Sequence, residues 1–332
     1  MPSDVVSFGE TMLRFSPAYN SRLEEAKTFN MYVAGSESNT LACLARLNLK
    51  VTWVSALPLN PMGRHVDAEL RRYGVDTASV VWLGDKVRLG IFYSEEAPNP
   101  LGLQVYYDRT YSACALVDPG AIDYSVVNDA RILHLTGITP ALSDNVREVF
   151  RRFLQRADEK NVPLSFDVNY RSKLWSIEKA VTGIEEACRQ ASLLFCTRTD
   201  AAELWGFSGT PEFVLRKMAQ RFAENNTNKT IVLTLGSEGA AQFQNGEYSI
   251  EPIFPTEGTV RFGSGDAFAA GYLYAYLEEQ YNHDLRKERG ITPLVFGNAL
   301  AALKRCIAGD IANITLQELW ALLYKQERIR FR

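Results

Sequence analysis

The sequence lacks the residues on which several common chemistries depend. Only three histidines occur in 332 residues, His65, His134 and His283, and none stands in an H-E-x-x-H, H-x-x-x-H or mixed Cys/His zinc spacing. That excludes the usual zinc hydrolases. With no G-x-S-x-G elbow and so few imidazoles, a serine or cysteine nucleophile activated by histidine is not expected either. The five cysteines (Cys43, Cys114, Cys188, Cys196, Cys306) are scattered and never form C-x-x-C, which fits reduced thiols and a cytoplasmic location rather than a disulfide framework. An excess of one charge is missing too: 36 Lys and Arg against 39 Asp and Glu leave a net charge of -3. Bulk charge therefore predicts neither nucleic-acid binding nor attraction to acidic membranes. There is no run of 18 or more apolar residues, so no membrane span is expected. The opening residues 1–7 have no basic stretch and no long apolar segment, so a secretory leader is not expected. No Gly-Lys pair occurs, which removes a Walker A loop, and the first apolar run is followed by Gly9-Glu10-Thr11-Met12 instead of G-x-G-x-x-G.

What is present has a globular composition, with 46% hydrophobic and 23% charged residues. At about 150 residues per domain, the length suits two domains or one large α/β domain with an insertion. Apolar runs of strand length at 5–9, 51–56, 132–137, 164–169, 193–196 and 230–236 alternate with segments of helical spacing at 38–47, 143–160, 176–190, 211–224, 265–280 and 293–307. This is the βαβ rhythm of a parallel sheet covered by helices. His134 falls inside one of the apolar runs and reads as a core residue. Two segments break the rhythm: 88–95 and 102–109 alternate with period two around a turn holding Pro98, Asn99 and Pro100. Together with an extended stretch at 13–31, this hairpin predicts a small second sheet projecting as a lid. Leu103, Val105, Tyr107 and Arg109 would share one of its faces.

The densest chemical signal is Arg261-Phe262-Gly263-Ser264-Gly265-Asp266-Ala267-Phe268-Ala269-Ala270-Gly271, a glycine turn feeding a helix. Glycines let successive N–H groups converge, and the helix dipole adds positive potential, so the turn suits a phosphate or a developing anion. Asp266, in the first helical turn, is expected to keep a low pKa and stay ionised. It could then orient an alcohol and take its proton late in phosphoryl transfer. A plain capping role for Asp266 is the alternative these residues leave open.

This segment resembles the C-terminal signature of the ribokinase-like, PfkB-type carbohydrate kinases. Phe8-Gly9-Glu10-Thr11-Met12-Leu13-Arg14-Phe15-Ser16-Pro17 and Gly35-Ser36-Glu37-Ser38-Asn39 resemble the family's N-terminal strand and sugar-contacting helix start. Tyr107-Asp108-Arg109 with Ser112-Ala113, His134-Leu135-Thr136-Gly137-Ile138, and the run from Phe166-Asp167-Val168-Asn169 through Tyr170-Arg171 to Trp175 resemble its 2-keto-3-deoxygluconate kinase branch. The resemblance spans about residues 5–311. It implies a three-layer αβα sandwich with a central, mostly parallel sheet and a small β-sheet lid, formed from one domain over residues 1–332 with lid insertions at about 13–33 and 86–112.

The resemblance also implies roles for particular residues. Asp266 would be the catalytic base, and Gly263, Ser264 and Gly265 with the Asp266 backbone would form the anion hole. Sugar contacts would fall on Gly35, Asn39, Phe92, Tyr107, Arg109, Asn169 and Arg171, with Phe92 standing where many relatives carry tyrosine. Two arginines, Arg109 and Arg171, suit a carboxylate; their plain alternative is ion pairing with neighbours such as Asp108 or Glu178. The nucleotide would lie along Thr197, Thr234, Gly236, Gly239, Gly263 and Gly265, with Asn298 near the adenine. Asp200 would act on Mg2+ from its outer shell, although Thr197 replaces the family's amide there and Val260 replaces an aspartate associated with a monovalent-cation site. The activity implied is ATP- and Mg2+-dependent phosphorylation of 2-keto-3-deoxygluconate at its primary hydroxyl by a homodimer joined through the lid, with no nucleic-acid or membrane partner. The alternatives are a fructokinase or another sugar kinase of the same family, or a catalytically silent sugar-acid-binding protein.

Overall fold

Strands buried on both faces read as unbroken apolar runs, and the helices that cover them need one apolar stripe each. The computed structural model, which describes residues 2–97, 100–223, 228–281 and 291–325, turns that pattern into two sheets. In chain order the elements are β1 (Val5–Phe8), β2 (Met12–Ser16), β3 (Asn30–Ala34), α1 (Ser36–Arg46), β4 (Val51–Pro58), α2 (Pro61–Arg72), β5 (Val80–Leu83), β6 (Ile91–Glu96) and β7 (Leu103–Asp108). They continue as β8 (Ile132–Thr136), α3 (Asp144–Lys160), β9 (Leu164–Asp167), α4 (Ile177–Gln190), β10 (Leu193–Thr197), α5 (Arg198–Trp205), α6 (Pro211–Phe222), β11 (Thr230–Thr234), β12 (Ala240–Gln244), β13 (Glu247–Glu251), α7 (Ser264–Tyr281), α8 (Pro293–Arg305) and α9 (Leu316–Lys325).

The large sheet runs β13-β12-β11-β10-β9-β8-β1-β4-β5 and is parallel except for the β12 and β13 edge. Alternation along each strand divides the core in two. Val6 and Phe8 face a cluster with α3, α4 and α6, through Phe153, Ile184 and Met218. Val5 faces the other cluster, with α1, α7 and α8, through Leu41, Ala270 and Leu300. The result is a three-layer αβα sandwich. Side-chain caps fix several helix starts: Ser143 accepts from the Val146 N–H, Thr197 from Asp200 and Thr292 from Val295. Among the described residues no helix is long and apolar enough to cross a membrane.

The small sheet runs β3-β2-β6-β7. The hairpin expected from period-two alternation is β6 and β7, paired Phe92 to Tyr107. Pro98 and Asn99 of its turn lie outside the described residues, as does Glu224 at the end of the helix expected over 211–224. The extended stretch expected at 13–31 resolves into two strands, β2 and β3, pairing antiparallel. Lys173 donates from its Nζ to the Val105 carbonyl at 2.7 Å, tying the outer strand of the small sheet to the segment after β9. His134 is buried, its Nδ1 3.0 Å from Ser165 Oγ, and burial holds its pKa down at about 4, as befits a core residue.

Candidate active site

Ligands of open parallel sheets bind beyond the carboxyl ends of the strands. Here those ends supply Glu10 after β1, Asp167 of β9, Thr197 of β10 and Thr234 of β11 to one cavity of about 460 Å³, within the size range of small-molecule sites. The start of α7 closes one side of it. The small sheet roofs it with Met12, Phe92, Val105 and Tyr107, whose apolar side chains pack with Phe262.

Gly263 has φ +70°, and a Cβ there would lie 1.7 Å from the Asp310 carbonyl oxygen, so both backbone conformation and packing demand glycine. Gly265 differs. A Cβ on it would meet nothing within 4 Å, yet it lines the cavity, so the protein's own packing does not require glycine. The N–H groups of Gly265 and Asp266, in the first turn of α7, have no acceptor among the described residues. The four-residue anion hole needs one correction: Ser264 directs both its N–H and its Oγ to the Arg261 carbonyl and so closes the turn instead of pointing at a ligand.

The Asp266 carboxylate is positioned by α1. Ser36 Oγ donates to Oδ1 at 2.7 Å and Asn39 Nδ2 to Oδ2 at 2.8 Å, while Asn169 Nδ2 donates to Ser36 Oγ at 2.9 Å. Asn39 accepts from the Gly35 N–H through its other amide atom. Asn39 and Asn169 both line the cavity, Asn39 bonded to Asp266 and Asn169 to Ser36. The expected low pKa of Asp266 is overturned: burial pushes it above the ordinary carboxylate value, and the Asn39 and Ser36 hydrogen bonds and the Arg171 charge offset this only in part.

The two arginines expected to share a carboxylate stand differently. Arg109 is buried, with Nε at 2.8 Å from Glu10 Oε2 and Nη2 on the same oxygen, and Ser112 donates to Glu10 Oε1. Its predicted neighbour Asp108 pairs instead with Arg88. Arg171 lines the cavity and makes no ion pair among the described residues. The period-two expectation for the hairpin matches the placement, since Leu103, Val105, Tyr107 and Arg109 all line the cavity.

Several carboxyls converge beneath. Asp167 is pushed up to about 8 by burial and by Asp266 and Asp200, and Asp200 to about 6 by burial. Glu37, fully buried in the first turn of α1, accepts from the Thr136 hydroxyl at 2.8 Å and from that of Thr139, and burial raises it from 4.5 to about 7. Folded Glu37 therefore holds its proton more tightly than the unfolded chain, so stability falls as pH climbs from 4.5 through about 7. Glu37→Gln should escape that loss, gaining on wild type by on the order of 1 kcal/mol per pH unit inside the window. Calorimetric Tm values at pH 5 and pH 8 check this: the gap between variant and wild type should widen at pH 8, and an unchanged gap contradicts it.

On the nucleotide side, Thr197 and Thr234 line the cavity, whereas Gly236, Gly239, Asn298 and Asp200 do not. Gly239, at φ +111°, is required because a Cβ would sit 2.1 Å from the Glu251 carbonyl oxygen, so its close approach is to β13. Asn298 spends its Nδ2 on the Glu251 and Pro252 carbonyls at 3.1 and 3.0 Å. The sequence reading missed Glu10, Glu37, Arg14, Phe262 and Asp310 as parts of the site. Only Glu10 and Asp310 carry a local sequence signal, a charged residue directly beside a glycine, in Gly9-Glu10 and Gly309-Asp310.

The chain matches the sequence profile of the pfkB family carbohydrate kinases over residues 2–316. It is 35% identical over 323 residues to the 2-dehydro-3-deoxygalactonokinase of Haloferax volcanii, covering 97% of each chain. It is 28% identical over 338 residues to the 2-dehydro-3-deoxygluconokinase of Bacillus subtilis, covering 99% of this chain and 97% of that one. The crystal structure of 2-dehydro-3-deoxygluconokinase from Thermotoga maritima superposes with a TM-score of 0.87 at 28% identity, over 97% of this chain and 98% of that one. An E. coli structure in complex with ATP and Mg2+, 16% identical, has the same fold, with a TM-score of 0.84 over 98% of this chain and all of that one.

Proposed function

Because the chain belongs to the pfkB family of carbohydrate kinases, we propose that it transfers the γ-phosphoryl group of ATP to the primary hydroxyl of 2-keto-3-deoxygluconate or its galactonate epimer, giving the 6-phosphate. The observation that carries this is the juxtaposition of the Asp266 carboxylate, the two unaccepted N–H groups of Gly265 and Asp266, and the unpaired Arg171 around one cavity. The curated relatives named above, both 2-dehydro-3-deoxy sugar-acid kinases, support the substrate class.

In this reading Arg171 receives the substrate carboxylate, and the small sheet covers the C–H groups of the carbon chain with Phe92 and Tyr107. Phe92 supplies a ring without a hydroxyl, so its contribution is packing. Asp266 accepts a hydrogen bond from the primary hydroxyl. As the hydroxyl oxygen bonds to the γ-phosphorus and the bond to the leaving ADP oxygen breaks, the proton passes to Asp266. The Gly265 and Asp266 N–H groups meet the charge on the phosphoryl oxygens.

Asp167 and Asp200 suit Mg2+ as hard oxygen donors, and their raised pKa values reflect buried charge that a cation relieves. They would hold it through its waters, and when bound it neutralises phosphate charge. A second copy of the chain would sit against the outer face of the small sheet, where Phe29, Met31 and Tyr106 are exposed.

One observation favours a neutral sugar as the second reading: Glu10 occupies Nε and Nη2 of Arg109, leaving one fewer fork for a carboxylate. A coupled kinase assay over keto-deoxy acids, hexoses and nucleosides decides between them. The expected result is kcat/KM highest for a keto-deoxy acid. A hexose or nucleoside preferred over every sugar acid would overturn the assignment.

A further inference from the structure

We propose that Arg14 is a positioning residue that makes the geometry of the catalytic turn depend on the small sheet being closed over the cavity. The proposal rests on the kinase reading above and adds a residue that touches neither substrate. Arg14 lies in the middle of β2 and is 4% exposed. Its Nη1 donates to Ser16 at 3.1 Å and to Ser94 at 3.5 Å, which anchors the guanidinium to two strands of the small sheet. Its Nε donates to Asp310 Oδ2 at 2.8 Å, across to the loop after α8.

The guanidinium also meets two aromatic rings, one from the small sheet and one from the turn that leads into α7. Its Cζ is 4.4 Å from the centroid of Tyr32, on β3, and 3.9 Å from that of Phe262, in the catalytic turn. Phe262 directly precedes Gly263, and Gly263 rests against the Asp310 carbonyl so closely that no Cβ fits between them. Arg14 therefore grips the turn twice, through the Phe262 ring and through the residue on which Gly263 rests. The Gly265 and Asp266 N–H groups follow directly in the chain.

Stability alone is a poor reason for this arrangement. A buried Arg–Asp pair loses hydration on both sides, and well-packed apolar residues of similar size are often as stable or more so. Asp310 shows the strain of burial, with its carboxyl raised to about 6 in spite of Arg14. What the planar cation supplies, and an apolar side chain does not, is a directed bond to Asp310 together with cation–π contacts to Tyr32 and Phe262. Lifting the small sheet away breaks that bond and uncovers Phe262, which frees the turn that carries the anion-binding amides. Anion binding and base are then aligned only when the site is shut against water.

Steady-state kinetics of Arg14→Met, Arg14→Lys, Phe262→Leu and the Arg14→Met/Phe262→Leu double variant test this. Misplacing the turn should lower kcat at least about tenfold in Arg14→Met and in Phe262→Leu, with the KM for sugar and for ATP changed less than about threefold. Arg14→Lys, which keeps a charge for Asp310 but loses the planar guanidinium, should recover part of the kcat. The double variant should be about as slow as Arg14→Met, because both changes act on one turn.

Variants with a lowered Tm and kcat within about threefold of wild type would make Arg14 merely structural and overturn the proposal, as would kcat losses that multiply in the double variant. Should Arg14→Met fail to fold, Arg14→Lys and Phe262→Leu decide by the same kcat-against-KM criterion. Wild-type protein that phosphorylates no sugar would sink the kinase reading. Wild-type turnover with unaffected variants would sink this proposal alone.

Discussion

Asp266→Asn is expected to lower kcat by about 10²- to 10⁴-fold, the range general-base removal gives, while KM for either substrate moves less than about threefold. Asparagine keeps the size of the side chain and accepts from Ser36 or Asn39 through its one carbonyl oxygen, but it takes no proton. The residual rate should come from the Gly265 and Asp266 N–H groups and from alignment of the reactants, since a loose phosphoryl-transfer transition state depends mostly on electrostatics and position. The pH profile adds a second readout. Burial raises Asp266, so the acid limb of wild-type kcat/KM should fall above the ordinary carboxylate value of 3.8 and vanish in the variant. Turnover of Asp266→Asn within about threefold of wild type would remove the residue from the role.

Arg171→Ala is expected to weaken the KM for a keto-deoxy acid by about 10- to 100-fold, the loss of a hydrogen bond to a charged group, with neutral sugars affected less than about threefold. Selectivity for acids should collapse onto this residue because Arg109 is already engaged by Glu10 and Arg14 by Asp310. The variant should also carry its acid limb to higher pH. The Arg171 charge holds down Asp266, Asp167 and Asp200, and its removal leaves burial less opposed. Equal losses for acidic and neutral sugars would contradict the carboxylate assignment and leave Arg171 as a general support of the acidic cluster.

The parts of the fold visible in the sequence were those with strong periodicity. Strands buried on both faces, such as β1 and β8, and long amphipathic helices, such as α3 with Val146, Val149, Phe150, Phe153 and Leu154 inward, announce themselves. Helix α2 was missed because only Gly63, Val66 and Leu70 of its twelve residues are buried, and α5 because it is eight residues long with three buried. At the site, the glycine turn and Asp266 were legible because a helix start has a local signature. The partners were not. Glu10 meets Arg109 from 99 residues away and Asp310 meets Arg14 from 296, and no local pattern encodes such a pairing. The misjudged pKa of Asp266 has the same origin. A helix start argues for a lowered value, but the burial that raises it comes from elements distant in the chain.

The most direct test is a crystal structure with a keto-deoxy sugar acid and a non-hydrolysable ATP analogue bound together. The account predicts the primary hydroxyl about 2.6–3.2 Å from an Asp266 carboxylate oxygen, in line with the γ-phosphorus and with the Gly265 and Asp266 N–H groups on the phosphoryl oxygens. A hydroxyl held by another side chain, with the Asp266 carboxylate beyond hydrogen-bond reach, would contradict it.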